Sequence, residues 1–268
     1  MNKNKDKFAH GTGEWAEHNV NIQHGCGNRC MYCYASAMAI RFGRKTAANW
    51  RIPEVDLAKV DKRYGRKSGR IMFPTSHDID EDNIGACAAV LKKMLASGND
   101  VLIVSKPRLS CVKQLCTELA GFKGQVMFRF TIGSADDAIL KAWEPGAPAF
   151  AERIASLKYA HGAGFRTSVS CEPMLDARID MVIRKARTFV TDSIWLGRAN
   201  QLKQIVAVNR PGDARAKAMA EFLLATITDE HIRGLYARYR NEKTVIKWKD
   251  SLKKILGIER PMQTGLDV

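Results

Sequence analysis

Short apolar runs alternate with longer amphipathic segments over most of the chain. Runs rich in β-branched and aromatic residues predict six strands, and apolar residues at helical spacing follow each of them. The predicted strands lie at residues 20–23, 70–73, 101–104, 126–131, 166–170 and 193–196. The predicted helices lie near residues 34–42, 83–97, 109–119, 135–143, 150–163, 179–187 and 214–227, and the basic segment that follows is also predicted to be helical.

This alternation predicts an α/β fold of parallel strands joined by right-handed crossovers. Six strand–helix units in the first ~200 residues are fewer than the eight of a closed barrel. We therefore expect a partial (β/α)6 barrel of the TIM type, although a doubly wound sheet has the same local pattern. The polar, basic segment 43–69 is predicted to be an exposed linker.

The chain is predicted to have two parts. Residues 1–202 would form the partial barrel with a short N-terminal segment, and residues 203–268 a basic helical C-terminal extension packed on it. Aromatic side chains among the cations of this extension suit stacking on nucleic-acid bases. Trp248, however, shares an apolar helical face with Val245 and Leu252, so we predict that it is a packed anchor.

The net charge of the chain indicates what kind of partner it binds. The 268 residues include 43 Lys and Arg against 28 Asp and Glu, which gives a formal net charge of +15. This excess favours an anionic partner, most often nucleic acid, and the alternative is a merely solubilising surface. Hydrophobic residues make up 46% of the chain and charged residues 26%, which excludes wholesale disorder.

The sequence also predicts the cellular compartment. No apolar run approaches the ~18 residues that a membrane-spanning helix needs, and the basic N-terminus lacks the apolar stretch of a secretory signal. We therefore expect a cytoplasmic protein with no membrane partner. In a reducing compartment the seven cysteines remain thiols, available as metal ligands or in catalysis.

Polar residues follow several of the predicted strands directly. Because chemistry gathers at the carboxyl ends of parallel strands, these residues are candidates for a site. They are Ser76, His77, Asp78, Ser105, Lys106, Thr131, Ser134, Ser170, Cys171, Glu172, Arg198 and Asn200.

Three cysteines lie together after the first predicted strand, at Cys26, Cys30 and Cys33. Thiolates are soft ligands that select iron–sulfur clusters, zinc or copper(I). A closed structural site uses four ligands, and the fourth is missing locally. A cubane cluster held by three cysteines would leave one iron open to another ligand. The alternative is a zinc site completed by His24, although the second cysteine pair of a zinc ribbon is absent.

The spacing Cys26-x3-Cys30-x2-Cys33, with Tyr32 before the last cysteine, resembles the signature of the radical S-adenosylmethionine superfamily. Five further segments resemble its spore photoproduct lyase branch, namely PTSHD (74–78), VSKP (104–107), FRFTIGS (128–134), WEPGAPAF (143–150) and SVSCEPMLD (168–176). The resemblance covers residues 11–202. It implies a partial (β/α)6 barrel with a 4Fe-4S cluster at its mouth.

The resemblance also implies residue roles. Cys26, Cys30 and Cys33 would hold three irons, and the methionyl group of S-adenosylmethionine would chelate the fourth. Reductive cleavage would then give a 5′-deoxyadenosyl radical that abstracts a hydrogen atom from the substrate. The remaining cofactor contacts would be Tyr32 near the adenine, Ser76 with Asp78 at the methionyl amine, Ser105, Lys106 and Thr131 at carboxylate or ribose, and Ser170 with Glu172 completing the ring.

Two residues are predicted to take part in catalysis. The lyase relies on a cysteine near the end of its second strand, and the corresponding segment here, 74–78, contains none. Cys171, which we expect to face the barrel mouth, is the predicted substitute, whereas Cys87, Cys111 and Cys116 fall within helical patterns and are expected in the core. His77 is either a proton donor or a structural hydrogen-bonding residue.

Three functions remain open at this point. The first is a radical enzyme of the lyase or isomerase type acting on a thymine derivative in DNA, with Arg198, Arg210 and the basic C-terminal helix lining a groove for the nucleic acid. A reductant such as flavodoxin or ferredoxin would be its redox partner. The second is a radical enzyme acting on a small metabolite, nucleotide or peptide. The third is a non-enzymatic zinc module that binds nucleic acid.

Overall fold

A seven-stranded parallel sheet forms the centre of the protein. The structure is a computed structural model that describes residues 8–243 and 245–266. The strands are β1 (His18–Asn19), β2 (Gln23–His24), β3 (Glu54–Val55), β4 (Arg70–Phe73), β5 (Asp100–Ser105), β6 (Val126–Thr131), β7 (Arg166–Cys171), β8 (Ile194–Leu196) and β9 (Ile246–Trp248). The large sheet has the order β1-β4-β5-β6-β7-β8-β9, and β2 pairs with β3 separately.

The helices connect successive strands of this sheet. They are α1 (Tyr34–Arg41), α2 (Leu57–Asp61), α3 (Ile84–Ala96), α4 (Leu109–Glu118), α5 (Asp137–Trp143), α6 (Phe150–Gly162), α7 (Asp180–Ala186), α8 (Leu202–Asn209), α9 (Ala214–Thr226), α10 (Asp229–Tyr239) and α11 (Asp250–Leu256). Side-chain caps fix several helix starts, since Asp136, Asp213 and Thr228 each accept a backbone N–H of the first turn. Among the described residues, no helix combines the length and the apolarity that crossing a membrane requires.

Side chains of the central strands alternate between two buried layers. Ile103, Phe128 and Val169 belong to the large core that includes the helices. Leu102 and Met127, one position away, belong to a smaller cluster with Trp15 and Trp195 on the other face of the sheet. Because successive side chains of a strand point to opposite faces, this second cluster is the interior of a partial barrel. The predicted fold class is therefore confirmed.

The first strand differs from its predicted position. β1 (His18–Asn19) pairs with β4 and the backbone N–H of Val20 still donates to the carbonyl of Met72, whereas the rest of the predicted strand 20–23 leaves the large sheet. The backbone N–H of Ile22 donates to Nε2 of His77 and not to a carbonyl of a neighbouring strand. This side-chain bond accompanies the divergence of the chain from β4. The next residues pair antiparallel with Glu54–Val55. The segment 43–69 is therefore wrongly predicted as a plain linker, since it holds a strand and α2.

The C-terminal segment contains a seventh strand where we predicted a helix. β9 (Ile246–Trp248) pairs parallel with β8 at the edge of the sheet, and α11 follows it. The apolar spacing of this segment suits a strand that turns into a helix as well as one continuous helix. Trp248 is buried and lies edge-on to Tyr236 at 5.3 Å between ring centroids. The prediction of a packed anchor is therefore confirmed.

A buried ion pair spans the open side of the barrel between the edge strands β1 and β9. Nζ of Lys249, which follows β9, lies 2.6 Å from a carboxylate oxygen of Glu14, which precedes β1. Lys253 approaches the other Glu14 oxygen at 3.4 Å. All three side chains are buried, and the Lys249 ammonium sits 4.1 Å from the centroid of the Trp15 ring. The segments before the first strand and after the last strand are thus tied together.

Candidate functional site

The cysteine loop lies between β2 and α1 and is held by close backbone contacts. The backbone N–H of Cys26 donates to the carbonyl of Trp50. Gly25 precedes it with φ +89°, and a Cβ there would lie 2.7 Å from that same carbonyl oxygen. A side chain at this position is therefore excluded both by the backbone conformation and by space. At the other end of the loop, the sulfur of Cys33 caps α1 by accepting the backbone N–H of Ser36.

The loop also packs against the segment that follows α5. The backbone N–H of Gly146 donates to the carbonyl of Asn28, and the N–H of Met31 donates to the carbonyl of Trp143. A Cβ on Gly146 would lie 2.2 Å from the carbonyl oxygen of Gly27, so only glycine permits this approach. The segment 143–150, distinctive in the sequence, is therefore the support of the cysteine loop.

The three thiols lie close enough to influence one another. Burial raises the pKa of all three, that of Cys26 to about 12. Backbone N–H groups of Asn28 and Asp78 point to the sulfur of Cys26 and favour its thiolate. In the described part of the chain, no three His, Cys, Asp or Glu side chains form a group that could hold a metal ion. Three soft sulfur donors from one loop, already approached by N–H groups, nevertheless have the chemistry that an iron–sulfur cluster needs.

Asp78 connects this loop to the ends of β4 and β5. One carboxylate oxygen accepts the Ser105 hydroxyl at 2.8 Å and the Lys106 backbone N–H at 2.6 Å, and the other accepts the Asn28 amide at 2.8 Å. Burial opposes ionisation, but the Lys106 ammonium and these donors outweigh it and lower the pKa of Asp78. Asp78 and Ser105, both predicted to contact the cofactor, are thus engaged with the protein itself.

Lys106 reaches inward from the end of β5. Its ammonium lies 3.6 Å from the Asp78 carboxylate and 5.7 Å from the centroid of the Tyr32 ring. Burial lowers the pKa of Lys106, but the negative charges of Asp78 and Cys30 outweigh it, so that the pKa is raised. A partly buried ammonium therefore lies between the cysteine loop and an aromatic ring, where it can receive a carboxylate.

A second buried network orients Tyr32. Its hydroxyl donates to the carboxylate of Glu144, which also pairs with the fully buried Arg153. Arg153 donates further to the backbone carbonyls of Pro148 and Thr131, so the network reaches the end of β6. Sequence analysis missed Glu144 and Arg153. The only signal was a glutamate inside the segment 143–150, because an arginine in an amphipathic helix is normally exposed.

The remaining predicted mouth residues follow the interior side of the strands. Thr131 and Ser170 occupy interior positions at the ends of β6 and β7, and both are buried. Glu172 continues the same alternation and lies 3.5 Å from Nζ of Lys249. Burial raises the pKa of Glu172 to about 7, against the lowering effect of Lys249. A Cβ on Gly197 would lie 2.9 Å from the Glu172 side chain, so this glycine makes room for the pair.

Ser76 lies in a loop fixed next to the start of α1. Its backbone N–H donates to the Asn21 side chain at 2.8 Å, and Thr75 bonds the same amide. The Tyr34 hydroxyl donates to the carbonyl of Thr75 at 2.8 Å. The structure thus brings Ser76 and the cysteine loop together at the end of the sheet where the carboxyl ends of the central strands lie.

Two predicted catalytic residues do not face the barrel mouth. Cys171 is fully buried in the core that includes the helices, on the opposite face of β7 from Ser170. Its expected position at the mouth is therefore wrong. His77 is also buried, and its ring nitrogens are occupied by the Ile22 N–H at 3.3 Å and the Asp78 carbonyl at 3.0 Å. These bonds favour the interpretation of His77 as a structural hydrogen-bonding residue over that of a proton donor.

Two lysines of the C-terminal helix do not line the predicted nucleic-acid groove. Lys249 and Lys253 are buried and paired with Glu14, so α11 does not present them to solvent. Arg198 pairs with Asp229 at 3.0 Å. Arg210 donates to the backbone carbonyl of Arg29, beside the cysteine loop. The positive residues that we assigned to one groove thus lie in separate environments.

An exposed aromatic surface lies on α1 instead. Tyr34, Met38 and Phe42 follow one another at four-residue spacing, and 49%, 40% and 67% of their surfaces are exposed. The guanidinium of Arg44 lies 5.7 Å from the centroid of the Phe42 ring, and the exposed Arg41 ends the helix. We call the three apolar residues with Arg41 and Arg44 the α1 stripe. The stripe begins at the barrel mouth, where Tyr34 contacts Thr75.

Comparisons with known proteins agree with this arrangement. The family model described as the Radical SAM superfamily matches residues 20–176, which include the cysteine loop and all strands from β2 to β7. None of the curated proteins matches the sequence.

Solved structures show the likeness of fold. A spore photoproduct lyase mutant is 16% identical with a TM-score of 0.59, over 92% of this chain and 80% of that chain. Another mutant of that lyase, with bound AdoMet and dinucleoside spore photoproduct, is 16% identical with a TM-score of 0.57, over 87% and 77%. Streptococcus suis SuiB bound to S-adenosylmethionine is 11% identical with a TM-score of 0.52, over 88% and 50%.

Proposed function

The chain belongs to the radical S-adenosylmethionine superfamily, and on that premise we propose that it abstracts a hydrogen atom from a thymine-derived base in DNA. Members of this superfamily are enzymes that use a 4Fe-4S cluster and S-adenosylmethionine. The observation that carries the proposal is the α1 stripe, which joins exposed aromatic and cationic side chains to the barrel mouth.

Cys26, Cys30 and Cys33 are the proposed cluster ligands. When bound, the reduced cluster and S-adenosylmethionine together supply a 5′-deoxyadenosyl radical that abstracts hydrogen from the substrate. The protein's part is to supply three thiolates from one loop and N–H groups that stabilise their charge. The partly buried ammonium of Lys106 acts in the same direction, since it favours the thiolates of Cys30 and Cys33.

Lys106 and Tyr32 are the proposed main contacts for S-adenosylmethionine. The ammonium suits a carboxylate, and the adjacent ring offers an apolar face to a purine. Asp78 holds the lysine from one side. The Glu144–Arg153 pair holds the hydroxyl end of the tyrosine. Thr131, Ser170 and Glu172 line the rest of the proposed pocket, and Ser76 lies beside it.

The α1 stripe supports nucleic acid as the substrate class. Aromatic rings stack on bases of any sequence, and neighbouring cations contact the phosphates. Its mouth-side end, Tyr34, lies beside the loop of Ser76 and near the charge of Glu172. A strand lying along α1 could therefore deliver an extruded base to the barrel interior.

The four cysteines outside the loop weigh against repair by the lyase route. Cys87, Cys111, Cys116 and Cys171 are all buried in the core, and Cys171 points to the helices. A thiol at the barrel mouth is the feature that this repair needs for returning hydrogen to the product. We therefore propose modification or isomerisation of a base in place of photolesion repair.

The decisive experiment is anaerobic reconstitution with iron, sulfide, dithionite and S-adenosylmethionine, with and without DNA. We expect formation of 5′-deoxyadenosine that DNA stimulates, and a new mass among the digested nucleosides. Stimulation by peptides or free nucleotides, with DNA inert, would contradict the substrate assignment. One zinc per chain without iron or sulfide would contradict the enzyme itself.

A further inference from the structure

A cavity of about 280 Å³ lies between the cysteine loop, α1 and the end of α8. Arg29, Arg51 and Arg210 line it, together with Cys30, and no acidic side chain is among the described residues that do so. None of the proposed cofactor-contact residues lines it. We call this cavity the arginine pocket. It is a second opening to the cysteine loop, separate from the barrel mouth.

Like charges are held together in the arginine pocket. Arg210 donates to the backbone carbonyl of Arg29 at 3.0 Å, which holds its guanidinium against the cysteine loop, and both arginines line the same cavity. Burial and the charge of Arg29 lower the pKa of Arg210 and outweigh the raising effects of Asp213 and Cys30. An anionic group in the cavity would relieve this repulsion, so the pocket is complementary to a negatively charged partner.

The wall of the pocket is bonded directly to the cysteine loop. Asn209, the last residue of α8, donates its amide to the carbonyls of Met31 at 3.0 Å and Cys33 at 2.9 Å. Cys30, between these positions, is itself a lining residue. A partner seated on the arginines would therefore lie against the segment that carries the proposed cluster ligands.

We propose that the arginine pocket docks the acidic surface of a small one-electron carrier protein of the flavodoxin or ferredoxin class. The inference rests on the proposed function, because it presumes a cluster on the cysteine loop. One electron leaves the carrier and one enters the cluster, and no bond forms or breaks in this exchange. Docking here gives the electron a short path past Cys30 and leaves the barrel mouth open for the substrate.

A nucleic acid is the less suitable occupant of this cavity. A substrate base must enter the barrel interior, and neither Lys106 nor Thr131, which mark that interior, lines the pocket. An acidic protein, in contrast, needs only a basic surface beside the thiols. Electrostatic steering by such a surface accelerates encounter with an oppositely charged protein and weakens with salt.

The test compares two charge-reversal variants that change the net charge equally. R51E/R210E alters the pocket, and K113E/K185E alters exposed lysines of α4 and α7. Flavodoxin binding to the reconstituted proteins is measured by calorimetry at low and high salt. We expect wild type and K113E/K185E to bind alike, and R51E/R210E to bind at least about tenfold more weakly, since about 1.4 kcal/mol of lost attraction gives that factor.

A second readout separates docking from chemistry. S-adenosylmethionine cleavage is measured with dithionite and, separately, with flavodoxin and its reductase. R51E, which leaves the Arg210 contact with the cysteine loop in place, is expected to retain the dithionite-driven rate and to lose part of the flavodoxin-driven rate. R51E/R210E should lose more of the flavodoxin-driven rate, and its iron content is measured to show that the cysteine loop still holds the cluster.

Two results would overturn the docking surface. One is unchanged flavodoxin binding in R51E/R210E. The other is a loss of oligonucleotide binding in that variant with flavodoxin binding retained, which would assign the pocket to nucleic acid. Failure of the proposed function is distinguishable, because wild type would then show no dithionite-driven cleavage, whereas the calorimetric comparison does not depend on cleavage.

Discussion

Nζ of Lys249 lies 2.6 Å from the carboxylate of Glu14, across 235 residues of sequence. The pair is buried on both sides and joins the chain before the first strand to the chain after the last. Desolvation of two charges offsets much of their attraction, so such a pair contributes little net stability while it is intact. Removing Glu14, however, leaves two buried ammonium groups with less negative charge beside them. The pair therefore closes the open side of the barrel at a position that tolerates no single change.

Replacing Glu14 by alanine is expected to lower the free energy of unfolding by about 3 kcal/mol, because Lys249 and Lys253 remain buried without the Glu14 carboxylate and Glu172, 3.5 Å from Lys249, offsets this loss only in part. Urea denaturation measures this change. The matched control is Glu230→Ala, which removes an exposed carboxylate on α10 and should shift stability by less than about 0.5 kcal/mol. Equal effects of the two substitutions would contradict the closing role of the pair.

Replacing Cys26, Cys30 or Cys33 singly by alanine is expected to abolish binding of the cluster and cleavage of S-adenosylmethionine. Cys171→Ala is the matched control, because it removes a buried thiol outside the loop. It should retain iron and cleavage and lower the free energy of unfolding by about 1 kcal/mol through lost packing. Iron analysis and 5′-deoxyadenosine assays measure both outcomes, and loss of cleavage in Cys171→Ala with full iron would restore its catalytic role.

Lys106→Ala is expected to weaken S-adenosylmethionine binding at least about tenfold, since a charge-assisted contact contributes roughly 1.5–3 kcal/mol. The fold should persist, because Asp78 keeps its bonds to Ser105, Asn28 and the Lys106 backbone N–H. Equilibrium dialysis with the labelled cofactor measures affinity, and iron content checks the cluster. Unchanged affinity at full iron occupancy would remove Lys106 from the proposed pocket.

The α1 stripe predicts a defect in nucleic-acid binding for Phe42→Ala. Loss of one stacked base costs about 1–3 kcal/mol, so affinity for single-stranded DNA should fall roughly tenfold. Phe222→Ala is the matched control, because Phe222 is 75% exposed on α9 and lies outside the stripe. Fluorescence anisotropy at several salt concentrations distinguishes them, and an equal loss in both variants would argue against the stripe.

The raised pKa of Glu172 predicts that the stability of the fold depends on pH. Its pKa is raised to about 7 in the folded protein by burial, with Asp250 and Glu14 adding to the effect and Lys249 opposing it. The folded state therefore holds this proton more tightly than the unfolded state, whose carboxyl titrates near pH ~4.3. The contribution of the bound proton to the free energy of unfolding is complete below pH ~4.3, and it is lost as the pH rises through about 7.

Glu172→Gln removes this titration and supplies the comparison. Between pH ~4.5 and ~8, wild type should lose up to about 3 kcal/mol of unfolding free energy relative to the variant, from 1.36 kcal/mol per pKa unit. Denaturation at several pH values measures the difference. A constant difference across this range would mean that the Glu172 carboxyl has an ordinary pKa.

Much of the fold could be predicted from the sequence because the signals for strands and helices are local. Strand and helix periods are set within a few residues, and the alternation that they produce admits only α/β architectures. The seventh strand escaped prediction since Val245, Trp248 and Leu252 satisfy a helical period as well as a strand that turns into a helix. Only pairing with β8 distinguishes the two, and that pairing is a contact between distant segments.

The face to which Cys171 points could not be predicted for a related reason. β7 is buried on both sides, as strands of parallel sheets usually are. Its alternating positions are therefore not marked by polarity. The helix-side position of Cys171 becomes visible only when Val169 is seen in the same layer. The position of Cys171 at the end of its strand did not show which face of the sheet its side chain occupies.

By itself, the sequence determined the cysteine loop, the family and the strand–helix order of residues 70–196, because each depends on residues that are near neighbours along the chain. Tertiary structure alone decided that Glu144 and Arg153 orient Tyr32, that Glu14 meets Lys249, and that three arginines from separate segments share one cavity. The physical reason is that a buried charge is stable only beside a partner. Chain folding, which brings distant residues together, selects that partner.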